Sequence, residues 1–325
     1  MIAPMEGVMD PWIREILTSF GSVDFCVTEF IRVTSHVLPD HVFYDYAPEL
    51  KNNSRTSSGT PVLIQLLGSD LNYMAENAFR ASEIGAYGID INFGCPAKTV
   101  NRHDGGSVLL KNPERVFQIT SAVRRAVPKH VPVNAKVRLG FEHKDFHKEI
   151  ALAAQEAGAG WLTVHARTKV EGYKPPAHWD FIRNMKNAVQ IPVIANGEIW
   201  NVEDYHRCRE VSECEDVMIG RGFMAEPLIA DRIRKDFLKN DLTKNTNNLK
   251  ENTEADSQTN LFYLKHFILK YIEICPRKET KFLVGRTKQL VKLLSRQNPY
   301  FNLLFDKIKV QQKLEDIQNL IISEL

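Results

Sequence analysis

Long apolar runs are what this sequence most plainly lacks. No stretch approaches the roughly 20 residues that a membrane-crossing helix requires, so none is expected to span a bilayer. The start of the chain has no charged segment leading into a long apolar one, which argues against a secretory signal, and its unpaired cysteines fit a reducing cytoplasm. Cysteine is scarce and scattered: Cys26, Cys95, Cys208, Cys214 and Cys275, with no C-x-x-C pair. An odd set without paired spacing points to neither a disulfide framework nor a metal site. An excess of one charge sign is also missing, with 42 Lys and Arg against 40 Asp and Glu. A net charge of +2 excludes a uniformly basic nucleic-acid binder, so any such surface must be local.

What is present is a rhythm. From the start to about residue 235, short β-rich runs alternate with helix-sized segments. The strand candidates are Ile2–Met5, Asp24–Thr28, Val62–Leu67, Gly88–Asn92, Val131–Val137, Trp161–His165, Pro192–Ala195 and Asp216–Ile219. Several are continuous apolar runs, the pattern of parallel strands covered on both faces. Leu71–Ile84 and Pro113–Ala126 show the clearest helical spacing, the second opening on proline at a first-turn position. Eight strands each followed by a helix predict an α/β fold, a (β/α)₈ TIM barrel over residues 1–238. A polar segment rich in Asn, Thr, Lys and Asp, 239–260, reads as a linker. Residues 261–325 read as a small helical bundle of about three helices, divided by turn signals at Pro276 and Asn298-Pro299.

A TIM barrel builds its site at the C-terminal ends of its strands. Those ends carry Met5-Glu6, Thr28-Glu29, Gln65, Asn92, Lys136 with Arg138, His165 with Arg167, Asn196-Gly197-Glu198 and Gly220-Arg221-Gly222. Strand after strand finishes in a group that hydrogen-bonds or carries charge. The last two follow the seventh and eighth strands, where barrels often hold a phosphate: glycine admits the anion to backbone N–H groups and arginine adds a fork of donors. Lys136 in such a mouth needs an anion, because burying its charge unpaired is costly. A salt bridge to Glu198 or Glu29 would serve, and so would the anionic edge of a reduced flavin. Cys95 lies on the loop after the fourth strand and is followed by Pro96, a placement suited to a positioned acid or nucleophile. Between Pro276 and Gln297 stand Arg277, Lys278, Lys281, Arg286, Lys288, Lys292 and Arg296, against only Glu279. Arg286, Lys288 and Lys292 share a helix edge, as phosphate contacts would, although charge runs are commonly solvated faces.

Together these residues resemble the tRNA-dihydrouridine synthase family. The matching runs are Ala3 to Val8, Val27 to Phe30, Gln65 to Gly68, Asp90 to Asn101, Lys136 to Gly140, Val164 to Thr168, Ile194 to Ile199 and Met218 to Gly222. The opening Met-Glu-Gly-Val and the Gly-Cys-Pro-x-Lys-Thr-Val-Asn run are most similar to the bacterial C branch, associated with uridine 16 of the tRNA D-loop. The resemblance implies bound FMN, NADPH as electron donor and a helical tRNA-binding domain. It makes Cys95 the general acid and assigns FMN to Pro4, Met5, Glu6, Gln65, Lys136, His165, Asn196, Gly197, Glu198, Gly220 and Arg221. It assigns the uridine or its tRNA to Arg32, Asn92, Arg138, Tyr173 and Arg286, to which the basic helix edge adds Lys288. Phe93 and Arg102-His103-Asp104 depart from the small residues expected there, without removing a catalytic group.

Two other readings stand beside this one. An FMN barrel that reduces a free pyrimidine would share the cysteine and the phosphate clamp, but would keep its turnover without residues 261–325. A non-catalytic RNA-binding protein would need no flavin and would bind equally well after Cys95→Ala. No metal is expected, and a monomer is the expected state.

Overall fold

The computed structural model describes residues 1–243, 253–276, 279–296 and 299–324. Its strands are β1 Cys26–Val27, β2 Ile31–Arg32, β3 Val62–Leu67, β4 Ile89–Asn92, β5 Val133–Arg138, β6 Leu162–His165, β7 Val193–Asn196 and β8 Val217–Met218. All pair in parallel, in the order β1-β3-β4-β5-β6-β7-β8, and β2 continues the β1 stave alongside β3. Ile2 closes the ring by bridging Cys26 on one side and Ile219 on the other. The Ile2 amide donates to the Phe25 carbonyl at 2.9 Å and the Ala3 amide to that of Ile219 at 2.8 Å. The eight staves read from the sequence are therefore all present as a TIM barrel, the first reduced to the Ile2 bridge.

The helices are α1 Pro11–Ser19, α2 Asp40–Tyr46, α3 Leu71–Glu83, α4 Lys98–Arg102, α5 Pro113–Ala126, α6 His147–Glu156, α7 Trp179–Ala188 and α8 Val202–Ser212. Local chemistry sets their starts. The Asp70 carboxylate caps α3 by accepting from the Asn72 and Tyr73 amides, and the Asn112 side chain caps α5 just ahead of Pro113.

Side chains alternate along a strand, so residues two apart share a face. Ala3, Val27, Leu63, Ile194 and Met218, from five staves, pack into one buried cluster, which fills the barrel interior. One pleat further along, Leu63 gives way to Gln65 and Ile194 to Asn196. The inward face thus changes from apolar to polar towards the C-terminal ends of the strands, and that change makes the site.

Chain contacts divide the molecule into two compact units. The first comprises Met1–Pro11, Asp24–Ile199 and Glu203–Gly220; the second comprises Trp12–Val23, Trp200–Val202 and Arg221–Leu325. The second unit contains α9 Arg221–Ala225, α10 Ile229–Thr243, α11 Thr253–Ile274, α12 Thr280–Leu294, α13 Pro299–Ile308 and α14 Leu314–Glu324. Helices α10 and α11 run into the polar segment 239–260 from either side, and 244–252 lie outside the described residues. Phe267, Ile268, Leu290, Leu294, Phe301 and Ile317 form the buried faces of the bundle. After residue 261 the described residues hold parts of four helices rather than three. The additional break, between α13 and α14, carries neither Gly nor Pro; it is held by the Lys288 ammonium, which donates to the Lys309 and Gln311 carbonyls at 2.9 and 2.6 Å.

Leu63 is wholly buried in the interior cluster. Leu63→Ala should destabilise the first unit by about 2–5 kcal/mol, whereas Leu63→Met should cost less than about 1.5 kcal/mol. Urea-unfolding midpoints of the two variants check this ordering.

Candidate active site

Strand register brings the predicted residues to one end of the barrel. Gln65 is level with Asp90, Asn92 with Lys136, Arg138 with His165, and His165 with Asn196. A directed chain of hydrogen bonds starts at Asp90, a buried carboxylate that accepts from Gln65 Nε2 at 2.6 Å. Because that amide nitrogen is engaged, Gln65 Oε1 is left to accept, and it does so from Asn92 Nδ2 at 2.8 Å. Asn92 Oδ1 then accepts from the Gly94 and Cys95 amides at 2.9 and 2.6 Å. The Gln65 amide itself donates to Thr28 Oγ1 at 2.9 Å.

Cys95 is held from its other side as well. Its carbonyl accepts from Asn101 Nδ2 at 2.9 Å, Ser107 Oγ at 2.8 Å and the Ser107 amide at 3.1 Å. The side chain lies among Phe30, Leu67 and Val100. Burial pushes the thiol above its ordinary pKa; Glu6 pushes the same way, and the Ala97 amide, Arg138 and Arg32 oppose. At neutral pH Cys95 is therefore a thiol, able to give a proton, rather than a thiolate nucleophile.

Lys136 Nζ donates to Asn196 Oδ1 at 3.1 Å, and Asn196 Nδ2 donates to the Met218 carbonyl at 2.7 Å. Desolvation lowers the Lys136 pKa, with Arg138 adding to the fall, and desolvation raises that of Asp90; mutual attraction opposes both shifts. The carboxylate acting on Lys136 is thus Asp90. Neither carboxylate named for Lys136 from the sequence appears in that role, and Glu198 pairs with Arg167 at 3.0 Å. Glu198 follows Gly197, and both have positive φ, 57° and 122°. A non-glycine residue in that region is strained, a feature concentrated at functional sites. A Cβ on Gly197 would lie 3.6 Å from His165 Nε2, and one on Gly220 would meet Met5 Sδ at 3.2 Å. Gly197 is thus required by its backbone conformation, and Gly220 by the close approach of Met5.

Arg138 Nε donates to the Gly94 carbonyl at 2.6 Å, and its guanidinium lies 5.2 Å from the centre of the Tyr173 ring. The same ring meets His165 edge-on at 5.8 Å. Tyr173 is 53% exposed and Arg32 is exposed, whereas Asn92 and Arg138 are buried. Pro4 and Met5 are half-buried and Glu6 is exposed. In the second unit the Arg221 guanidinium lies over the Trp200 ring at 5.0 Å. Arg286 is buried, donating to Tyr271 Oη at 3.2 Å and Gln289 Oε1 at 2.6 Å. Lys292 of the same helix is exposed, whereas Arg277 and Lys278 lie outside the described residues. Sequence reasoning missed Asp90, Asn101 and Ser107 as site residues. Asp90 sits inside a strand and reads as part of it, and only the fold brings Ser107 back to Cys95.

The family model for dihydrouridine synthase (Dus) matches residues 1–319. The chain belongs to the dihydrouridine synthase family. Curated relatives of this family include a tRNA-dihydrouridine(16) synthase of Pseudomonas syringae pv. tomato, 45% identical over 98% of this chain and 97% of the relative. Another, of the same name, from Shewanella oneidensis is 45% identical over 98% of this chain and 95% of its own length. One from Neisseria meningitidis serogroup B is 40% identical over 99% and 93%. Among the described residues no helix is long and apolar enough to cross a membrane.

For this Dus protein the raised thiol pKa predicts that iodoacetamide labelling of Cys95 climbs with pH beyond the range of an ordinary thiol. Peptide mass spectrometry reads the rate, and a plateau already reached at neutral pH would rule out the neutral acid.

Proposed function

We propose that this chain reduces uridine 16 in the tRNA D-loop to 5,6-dihydrouridine in the cytoplasm, with FMN bound at the barrel mouth and NADPH as electron donor. The observation that carries the reading is the Cys95 thiol, neutral and fixed through its backbone beside a ring of buried amides and a lysine.

The residues present fit FMN. Lys136, bonded to Asn196, offers a cation to the anionic edge of a reduced ring, and Gln65 and His165 are proposed to add polar groups from β3 and β6. Gly197 and Gly220 follow β7 and β8, where a phosphate would sit. Pro4, Met5, Glu6, Glu198 and Arg221 complete the set proposed to hold it. When bound and reduced, FMN supplies the hydride that C6 of the uracil ring accepts. Cys95 gives its thiol proton to C5, completing the addition of two hydrogens across the double bond. Asn92 spends one N–H on Gln65 and keeps the other for a uracil carbonyl. Arg32, Arg138 and Tyr173 steady the flipped-out base, which leaves a loop more readily than a duplex. Residues 1–238 are proposed to carry the chemistry and the helices of 261–325 to bear on the tRNA, with 239–260 joining them. There Arg286 acts by fixing α12 and Lys288 by holding the α13–α14 turn.

The purified protein should show flavin bands and, with NADPH and unmodified tRNA, form dihydrouridine at position 16. Modification elsewhere in the D-loop keeps the reaction and discards the position. Turnover of a free pyrimidine without tRNA, or tRNA binding by a protein that takes up no flavin, would install one of the other readings. Cys95→Ala should keep its flavin while tRNA reduction slows by about 10²–10⁴-fold, the usual contribution of a general acid.

A further inference from the structure

The loop after β6 presents Tyr173 at the mouth, yet hydrophobic burial does not hold it there: Tyr173 is 53% exposed and Val170 63%. Its first half is tied by backbone bonds, Lys169 N–H to the Gly140 carbonyl at 3.0 Å and Val170 N–H to that of Phe141 at 3.1 Å. Its second half is gathered by one carboxylate. Glu171 Oε2 accepts from the Thr168 amide at 2.6 Å, while the Glu171 amide donates to Thr168 Oγ1 at 3.2 Å. This is the reciprocal arrangement of a capping box, here closing a turn. Glu171 Oε1 also pairs with Lys144, from the segment before α6, and with His178 Nε2 at 3.2 Å, from the segment before α7. Three separated stretches of chain thus meet on one side chain.

The turn so formed places two carbonyls for Arg138, whose Nη1 donates to Thr168 O at 3.1 Å and Gly172 O at 2.9 Å. Gly172 has φ 61°, the left-handed turn that brings the next residue, Tyr173, back between Arg138 and His165. Burial raises the Glu171 pKa, but Lys144 and the Thr168 amide outweigh it and keep the carboxylate ionised.

We infer that Glu171 is a positioning residue for substrate binding: it holds the β6 loop in the turn that sets Tyr173 and Arg138 against the target base. The inference rests on the proposed reduction of tRNA, and it concerns base capture, not flavin chemistry. Glu171 acts on the mouth through Arg138 and Tyr173, so electron transfer into bound flavin is expected not to depend on it.

The test uses FMN-loaded full-length enzyme. Glu171→Ala should raise KM for unmodified tRNA about tenfold, and Glu171→Gln, which keeps an acceptor for the Thr168 amide, about threefold. Flavin content and the stopped-flow rate of flavin reduction by NADPH should stay within about twofold of the parent. The Glu171→Ala/Tyr173→Ala pair should be no worse than Tyr173→Ala alone, because both act through one ring. Loss of flavin or of its reduction in Glu171→Ala, an unchanged KM, or multiplying effects in the double variant would each overturn the inference. A parent enzyme that forms no dihydrouridine would instead overturn the reading beneath it.

Discussion

The direction in which one buried amide points governs the rest of the barrel mouth. Gln65 has a donor end and an acceptor end, and Asp90 takes the donor. The acceptor must then face Asn92, whose own amide is oriented in turn, so that its oxygen meets the Gly94 and Cys95 N–H groups. In a low-dielectric interior, reversing any one amide would set like against like along the whole chain. The polarity of Asp90 is transmitted to the loop bearing Cys95 through the Gln65 and Asn92 amides. Thr28 anchors the same strand by receiving the Gln65 backbone amide, so the backbone of β3 and its side chain are both committed.

This chain also explains why Lys136 is tolerated. Asp90 is buried and Lys136 half-buried beside it, and the attraction between them offsets part of what desolvation costs each. Asn196 adds a hydrogen bond to the ammonium and passes its own N–H to the Met218 carbonyl, carrying the network across to the last strand. An apolar floor of Leu63, Ile194 and Met218 lies one pleat below. The polar layer is therefore a rigid ceiling over a packed core, and its groups are preorganised by bonds among themselves.

Where the strand pattern rests on burial from both sides, the sequence shows it plainly. Val62–Leu67 is read from its apolar run, and all six residues are buried in a strand with those bounds. Pro113–Ala126 is equally legible, because proline and the Asn112 cap mark its start. The site residues that end strands, Gln65, Asn92, Lys136, His165 and Asn196, were accessible by the same logic. What stayed hidden depends on contacts far apart in sequence. Ser107 returns to Cys95 from 12 residues away. Arg286 looks like a helix-edge cation but turns inward to Tyr271, 15 residues distant. The turn between α13 and α14 needs Lys288 from another helix, so no local Gly or Pro announces it.

Cys95 is clamped on both sides of its α-carbon, the amide by Asn92 and the carbonyl by Asn101 and Ser107. With the backbone immobilised, the sulfur retains a single torsion. It can occupy only the few staggered positions that rotation about the Cα–Cβ bond allows. A thiol so placed cannot follow a partner that arrives off line. Whatever is to meet the sulfur must be carried to it, which shifts the burden of accuracy from the thiol to the surfaces around it.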